Sequence, residues 1–134
     1  MDRSEVFRNP IAAAADGYLY THEDGIEADG EPMAAFVESY DMELGSGDYL
    51  MRLRRFVPDF KSLTGMVDFS FRYRRYPAKT QRSKGPFRVS ASTGKFNPRF
   101  RARQAAVRLE SCTDVPSAWR LGTMRADVKM HGKR

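Results

Sequence analysis

The chain has 134 residues, of which 41% are hydrophobic and 30% charged, and its formal net charge is +6. This length and composition predict one domain with its own core and argue against wholesale disorder. No apolar run approaches the roughly 20 residues of a membrane span, and the acidic N-terminus does not fit a signal peptide. The single cysteine, Cys112, excludes an internal disulfide and a cysteine-rich zinc site.

Charge is divided unevenly along the chain. Residues 1–50 contain 12 Asp or Glu and 2 Lys or Arg, a net of −10, whereas residues 51–134 contain 5 Asp or Glu and 21 Lys or Arg, a net of +16. This asymmetry fits two halves that fold onto each other, or a subunit whose acidic side meets a neighbour's basic side. It also fits a basic half that binds nucleic acid, or sheet faces that are merely solvated by charges of opposite sign.

The N-terminal third is predicted to hold an arm, a strand and an acidic loop. Residues 1–16 form the arm, in which the run from Ile11 to Ala15 fits a helical turn or a docking segment. A short strand follows over 18–22, and residues 23–31 form a loop with the turn dipeptides Asp24-Gly25 and Asp29-Gly30. The loop carboxylates are a conceivable calcium site, but their order does not match a helix-flanked calcium loop, so a solvated loop without metal is expected.

Period-two patterning predicts about seven β segments. They lie at 18–22, 33–40, 49–57, 65–76, 87–92, 99–111 and 119–130. The segment 65–76 is the clearest, because Val67, Phe69, Phe71 and Tyr73 share one face and polar residues the other, as in a half-buried antiparallel strand. In the segment 49–57, Met51, Leu53 and Val57 are expected on one face.

Residues 78–85 are predicted to be a polar loop, and a change of phase at Gly122 indicates a bulge in the last segment. These elements predict an all-β fold, an antiparallel β-sandwich or partly closed barrel over residues 17–130, followed by a basic tail at 131–134. The expected core consists of Phe36, Met51, Leu53, Phe69, Phe71, Val107, Leu109, Trp119, Leu121 and Val128.

No arrangement of residues in the sequence points to catalysis. Cys112 has no local base and is expected to be a small buried residue, and no glycine-rich phosphate loop follows a strand. The protein is therefore expected not to be an enzyme and to carry no cofactor.

Arginine and aromatic residues alternate in the basic strands. A nucleic-acid-binding β module could use both residue types, the arginines for phosphates and the aromatics for bases. Alternation within 65–76 instead directs Phe69, Phe71 and Tyr73 to the core and Arg72 and Arg74 outward. Nucleic-acid binding by these strands is therefore the alternative function, and a sugar-binding or host-directed tip domain is a third.

A family resemblance is carried by an ordered set of motifs in the basic half. It comprises the arginine-rich run from Arg99 to Ser111, the Trp-Arg-Leu-Gly motif at 119–122, the basic end at 132–134, and the upstream motifs at 20–25, 29–30, 57–60 and 85–87. In this order, from about Gly17 to Arg134, they resemble the C-terminal region of tailed-phage virion proteins, above all the tail nozzle or tail tubular proteins of short-tailed phages. In those relatives the stretch follows a much larger β-rich body, whereas here only 16 residues precede it.

The resemblance implies a non-enzymatic structural protein of the phage tail or head-to-tail region, made in the host cytoplasm and located in the virion. Its partners would be tail, portal or adaptor components and further copies of itself in a ring, joined through complementary acidic and basic surfaces, with the arm at 1–16 ordering against a neighbour. Pairing of these charges within one subunit remains open. The candidate interface residues are Arg72, Arg74, Arg101, Arg103, Arg108, Glu27, Asp29, Glu31 and Glu43.

Overall fold

The computed structural model describes residues 9–22 and 24–133. In this part the chain is all-β, as expected, with short and long strands and one 3₁₀ turn at Gly45–Gly47. The strands are β1 Ile11–Ala13, β2 Leu19–Thr21, β3 Glu27–Ala28, β4 Glu31–Pro32, β5 Phe36–Glu38, β6 Met42–Glu43, β7 Tyr49–Val57, β8 Phe60–Thr64, β9 Met66–Arg74, β10 Arg82–Ser90, β11 Phe100–Ala102, β12 Gln104–Ser111, β13 Ala118–Leu121 and β14 Arg125–Lys133.

The count of about seven strands is wrong, because the described residues contain fourteen. The segment 99–111 divides at Arg103, whose backbone N–H bonds instead to the carbonyl of Arg74. The predicted polar loop at 78–85 is also wrong in part, since β10 begins at Arg82 and pairs with β9. Short strands in residues 1–50 that were not predicted account for most of the remaining difference in the number of strands.

Within residues 9–22 and 24–133, the strands pair antiparallel in five sheets, none of which closes on itself. The largest has the order β10-β9-β12-β5, and β6 also pairs with β12. A three-stranded sheet has the order β11-β7-β14, and β8 pairs with β13. In the N-terminal part, β1 pairs with β2 and β3 with β4, so the acidic half contributes two separate hairpins.

The β1–β2 hairpin replaces part of the predicted arm. Ile11–Ala13 is a strand opposite Leu19–Thr21, so the helical turn considered for this run is not formed. The remainder of the arm, residues 1–8, lies outside the described residues.

The core is shared by the two largest sheets and is rich in phenylalanine. Phe56 of β7 contacts Phe69 and Phe71 of β9 with ring centroids 5.3 and 5.4 Å apart, and Phe96 contacts Phe56 at 5.4 Å. Tilted and edge-on rings at such distances add to the burial of apolar area. The inward faces of β7 and β9 therefore pack directly against each other.

Most of the predicted core is confirmed. Met51, Leu53, Phe69, Phe71, Val107 and Leu109 are buried, and Trp119, Leu121 and Val128 pack against them while partly exposed.

Phe36 is the exception, with 63% of its surface exposed. It faces Glu110 across the β5–β12 pair, and alternation in β12 directs Glu110 to solvent and Leu109 to the core. The expectation for Phe36 is wrong because it depends on strand register, which the local pattern does not specify.

A bulge in β7 changes which of its residues face inward. Arg55 lies opposite Asp127 of β14, and Leu53 lies opposite Val128. Arg54 is therefore an extra residue that has no paired residue on β14. Both Arg54 and Arg55 are consequently exposed, and Phe56 takes the buried place that the sequence pattern assigned to Val57. One inserted residue shifts the alternation by one position, as expected for a β-bulge.

In place of the bulge predicted within the last strand, the structure has an interruption, because Gly122 lies between β13 and β14. The Gly122 N–H donates to the Asp59 carbonyl oxygen at 2.7 Å, and a Cβ atom at Gly122 would lie only 2.8 Å from that oxygen. Pro58 and Asp59 interrupt the neighbouring strand at the same level, between β7 and β8. Glycine is thus required by the close approach of the two backbones.

We expect Phe69→Ala to lower the free energy of unfolding by about 3–5 kcal/mol, because it removes a ring from the centre of the aromatic cluster. Phe36→Ala is the matched control, and its loss should stay below about 1 kcal/mol, the scale of an exposed cation–π contact. Urea denaturation followed by tryptophan fluorescence measures both values. Equal losses would contradict this assignment of core and surface.

Candidate functional site

Two of the candidate interface arginines are neutralised within the chain. Arg72 of β9 and Arg108 of β12 both form ion pairs with Glu38 of β5, the second with Nη1 and Oε2 3.1 Å apart. Arg108 Nε also lies 3.3 Å from Glu110 Oε2. These pairs are partly exposed and contribute little stability singly, but they leave Arg72 and Arg108 with their charge already balanced.

Phe36, which points outward, contacts the same ion-paired group through Arg108. The Arg108 guanidinium lies over the Phe36 ring, 4.0 Å from its centroid. Stacking of a guanidinium on an aromatic face is favourable at the surface as well as in the core. Phe36 therefore helps to hold Arg108 against the sheet.

A second ion-pair group joins β9, β10 and the turn after β12, and the sequence analysis did not identify it. Arg88 donates to both carboxylate oxygens of Asp114, at 2.9 and 3.2 Å, and its Nε donates to Asp68 Oδ1 at 3.2 Å. The Arg88 hydrogen bonds lower the pKa of Asp114 and raise that of Arg88. Only the pairing of β9 with β10 reveals that Arg88 lies opposite Asp68.

Arg103 and Glu43 make contacts within the described residues, whereas the Nε atom of the third candidate here, Arg74, is buried without a hydrogen-bond partner. Arg103 Nη1 donates to the Gly47 carbonyl at 3.0 Å, and its guanidinium lies 5.3 Å from the Tyr76 ring centroid. Arg74 is half-buried on the neighbouring strand. Glu43 accepts a hydrogen bond from the Gln104 side chain. These contacts fasten the 3₁₀ turn to the end of the large sheet.

Arg101 lies in different surroundings from the other candidates, on the outer face of the three-stranded sheet. It stands directly opposite Arg52, which stands directly opposite Lys129, so three cations cross the three strands in one row. All three are exposed, and none forms an ion pair among the described residues. Like charges directly opposite each other on a sheet destabilise it.

The row borders a recess of about 350 Å³ that the β7 bulge helps to form. On the other side of β7, Phe56 and Phe96 exchange backbone hydrogen bonds of 2.8 and 3.0 Å, and the chain then leaves β7 until Phe100. Arg99, in this interruption, has a φ of +50°, which is uncommon for a residue other than glycine. The recess is lined by Arg52, Arg54, Arg55, Lys95, Asn97, Arg99 and Asp127.

We call the outer face of the three-stranded sheet with this recess the cationic face. It consists of Arg52, Arg54, Arg55, Lys95, Arg99, Arg101 and Lys129. Of these the sequence analysis selected only Arg101. The pattern of Met51 and Leu53 inward with Arg52 and Arg54 outward could have pointed to the others, but the pairing that gathers them is visible only in the structure.

The acidic candidates Glu27, Asp29 and Glu31 lie on the β3–β4 hairpin and are exposed. None of the three forms an ion pair within the described part of the chain. Glu27 and Asp29 also line an open cleft of about 760 Å³, together with Tyr20, His22, Asp24, Met33 and others. The structure brings none of the acidic candidates of this hairpin into contact with a candidate arginine.

The cleft shows no grouping of ligands for a metal ion. No set of three or more His, Cys, Asp or Glu side chains in residues 9–22 and 24–133 could hold one, and Glu23 lies outside these ranges. Asp16 instead accepts hydrogen bonds from the Tyr20 hydroxyl at 2.6 Å and the Tyr18 N–H at 3.0 Å. The Tyr20 hydroxyl and then the Tyr18 N–H lower the pKa of Asp16, so these contacts favour its charged form.

An uncovered apolar edge borders the large sheet. β5 and β6 pair with β12 on one side, and no other described strand pairs with them. Met33, Phe36, Val37, Tyr40 and Met42 in this stretch are all exposed, Tyr40 to 96%. We call residues 33–42 the apolar edge. Exposed hydrophobic edge strands favour pairing with another chain, and proteins usually blunt them with charge or proline.

Cys112 is buried, as the sequence analysis expected. Burial, followed by the nearby Asp68, raises the pKa of its thiol to about 11. A thiol with such a pKa is protonated near neutral pH and a poor nucleophile.

No protein-family model matches the chain, and no curated protein matches it. Among the described residues, no helix has the length and apolar character needed to cross a bilayer.

We expect native Cys112 to react with iodoacetamide at pH 8 at least about 100-fold more slowly than the urea-unfolded chain, because the native thiol is both buried and protonated. Mass spectrometry of the alkylated chain measures both rates, and the single cysteine makes the signal unambiguous. Similar rates in the two states would contradict the burial of this residue.

We expect Arg52→Thr to leave the free energy of unfolding unchanged or to raise it by about 0.5 kcal/mol at low salt, because it removes the central cation of the row. The control is Lys61→Thr on β8, where an exposed lysine has no cation directly opposite. Urea denaturation compares the two. A larger loss for Arg52→Thr than for Lys61→Thr would show that the row is not repulsive.

Proposed function

We propose that this protein is a non-enzymatic structural component of a phage particle, in the tail or head-to-tail region, and that copies of it assemble into a ring. The resemblance of the ordered motifs to those of short-tailed-phage tail proteins supports the setting in the virion. In this proposal the two largest sheets form a two-layer β-sandwich that serves as the rigid body of the subunit, and other tail, portal or adaptor proteins are its further partners.

The apolar edge is the observation that carries the proposal. Its aromatic, methionine and valine side chains are exposed along an edge that pairs with β12 on one side and with no described strand on the other. An apolar surface of this kind is typical of a subunit that is covered by a neighbour in its working state. A strand or loop of the next subunit that docks here would satisfy both the free backbone groups and the apolar side chains.

Charge provides a second contribution to the contact. The acidic hairpin precedes the apolar edge directly, and Met33 lines the same cleft as Glu27 and Asp29. At the opposite end of β9, Arg75, Lys79 and Arg82 are exposed and have no ion-pair partner in the part of the chain that the structure describes. A head-to-tail contact between an acidic, apolar surface and an unlike basic surface repeats around a ring until it closes.

Most of the original arginine candidates have a smaller role in this proposal. Arg72 and Arg108 are balanced by Glu38 and Glu110, and Arg103 donates a hydrogen bond to the Gly47 carbonyl. Arg101 has no ion-pair partner among the described residues and could still contact another molecule. The basic partner of the acidic hairpin is accordingly assigned to the turn between β9 and β10.

We expect the full chain to form a discrete oligomer in sedimentation velocity, and Phe36→Ser with Tyr40→Ser to shift it toward monomer by at least about tenfold in dissociation constant. The physical reason is the loss of two exposed apolar side chains from the contact. Higher salt should weaken the oligomer as well, because part of the attraction is electrostatic.

The matched control is Met66→Ser with Met130→Ser, which removes two exposed apolar side chains elsewhere. It should leave the oligomer intact. Electron microscopy of the native particle then tests the setting, with the chain expected in a ring of the tail or neck. A monomer at high concentration together with no ring in the particle would refute the proposal.

A further inference from the structure

We propose that the cationic face binds the phosphate backbone of duplex nucleic acid without reading its sequence. This function goes beyond assembly, because it uses the cationic face, which adjoins the proposed assembly surfaces at Arg75, a residue that lines a recess with Arg52, Arg99 and Arg101. The face has a row of cations, a recess and almost no compensating charge, and each of these features points to a polyanion.

The distribution of carboxylates in the basic half is the first observation. Asp68 and Asp114 pair with Arg88, Glu110 pairs with Arg108, and Asp59 lies 4.0 Å from Arg125. Asp127 is the remaining carboxylate of residues 51–134, and it is the one acidic residue that lines the recess. Among the described residues, the seven cations of this face form no ion pair and Asp127 is the one carboxylate that lines the recess, whereas Arg72, Arg88 and Arg108 of the other large sheet are paired with carboxylates.

The register of the strands is the second observation. A row of three cations directly opposite one another is costly in the free protein, since antiparallel neighbours on one face lie about 5 Å apart. An anion with regularly spaced charges relieves that repulsion at every position at once. Duplex DNA carries one charge per about 1.7 Å of helix axis, a density that isolated carboxylates do not reach.

The recess is the third observation. The bulge at Arg54 and Arg55 and the facing interruption at Asn97–Arg99 open the sheet surface at one place. Arg99 reaches it from a left-handed backbone conformation, and strain of this kind in a non-glycine residue is typical of functional positions. Arginine dominates the lining, and its planar fork binds phosphate oxygens in pairs.

The chemistry of the face favours nucleic acid over an acidic protein. Protein interfaces depend on apolar or aromatic anchors at their centre and are depleted in charge there, whereas every member of the cationic face is charged. The duplex is favoured over a single strand because single-strand binders stack bases on exposed aromatic rings. Tyr73, which lines a second recess with Arg52, Arg99 and Arg101, is half-buried and stacked on Phe100 with centroids 4.6 Å apart.

Fluorescence anisotropy with a labelled duplex of about 20 bp and arbitrary sequence, at about 50 to 200 mM NaCl, tests the proposal. The wild-type chain should bind with an affinity that falls steeply as salt rises. Arg52→Gln with Arg101→Gln should bind at least about tenfold more weakly and reduce the slope of log K against log salt by about 1.8, or 0.9 for each lost phosphate contact.

A second variant and a control make the result specific. Arg54→Gln with Arg55→Gln should act like the first variant, so one poorly folded protein would not decide the outcome. Lys61→Gln with Arg120→Gln removes the same charge from exposed positions on β8 and β13 and should keep the wild-type slope.

Three results would overturn the proposal. Absence of DNA binding by the wild type at the lowest salt would exclude it directly. An equal loss of DNA affinity in the Lys61→Gln with Arg120→Gln control would show that binding depends only on the net charge of the protein. Tighter binding of poly-glutamate or of a single strand of equal length would assign the face to another class of partner. Because none of these readouts involves oligomerisation, failure here and failure of the ring proposal are distinguishable.

Discussion

The structure depends on the packing of phenylalanine rings between β7 and β9. Phe56 contacts both Phe69 and Phe71, and Phe96 closes the group from the neighbouring chain segment. Because a strand directs successive side chains to opposite sides, burying these rings places the intervening arginines and acids on the outer faces. The two charged surfaces of the protein are thus a direct consequence of its aromatic core.

The two outer faces differ in what the antiparallel pairing puts opposite each cation. On the large sheet, Glu38 meets Arg72 and Arg108, and Arg88 meets Asp68 and Asp114, so attraction and repulsion are balanced within the chain. On the three-stranded sheet, Arg52 lies directly opposite both Arg101 and Lys129, and Asp127 lies opposite Arg55. The charges of the first face are paired within the subunit, while the second keeps an uncompensated positive potential, which is the basis of its proposed binding to a polyanion.

The bulge in β7 and the interruption at Gly122 give this simple fold its particular surfaces. The bulge turns Arg54 and Arg55 outward together and forms the recess beside the cation row. The interruption separates the β8–β13 pair from β7 and β14, and the Trp119 indole N–H donates to Ser111 Oγ at 3.0 Å and links β13 to the large sheet. Local irregularities of backbone, more than the regular ladders, shape the regions proposed to bind partners.

Some properties of this protein are determined by the amino-acid sequence alone. Alternation fixes the all-β class, the burial of Phe69, Phe71 and Leu109, and the outward direction of Arg72. The break at Gly122 and the burial of Cys112 are also readable, because each follows from residue type and immediate neighbours. These features depend on interactions over a few residues.

Strand register and partner choice are decided only by the tertiary structure. The sequence marks Phe36 as apolar, but pairing of β5 with β12 places it outward under Arg108. Likewise the sequence marks Arg72 and Arg101 as equivalent basic residues, yet one meets Glu38 and the other meets Arg52. The physical reason is that charges act through space, and the residues that become neighbours in a sheet are separated by tens of positions along the chain.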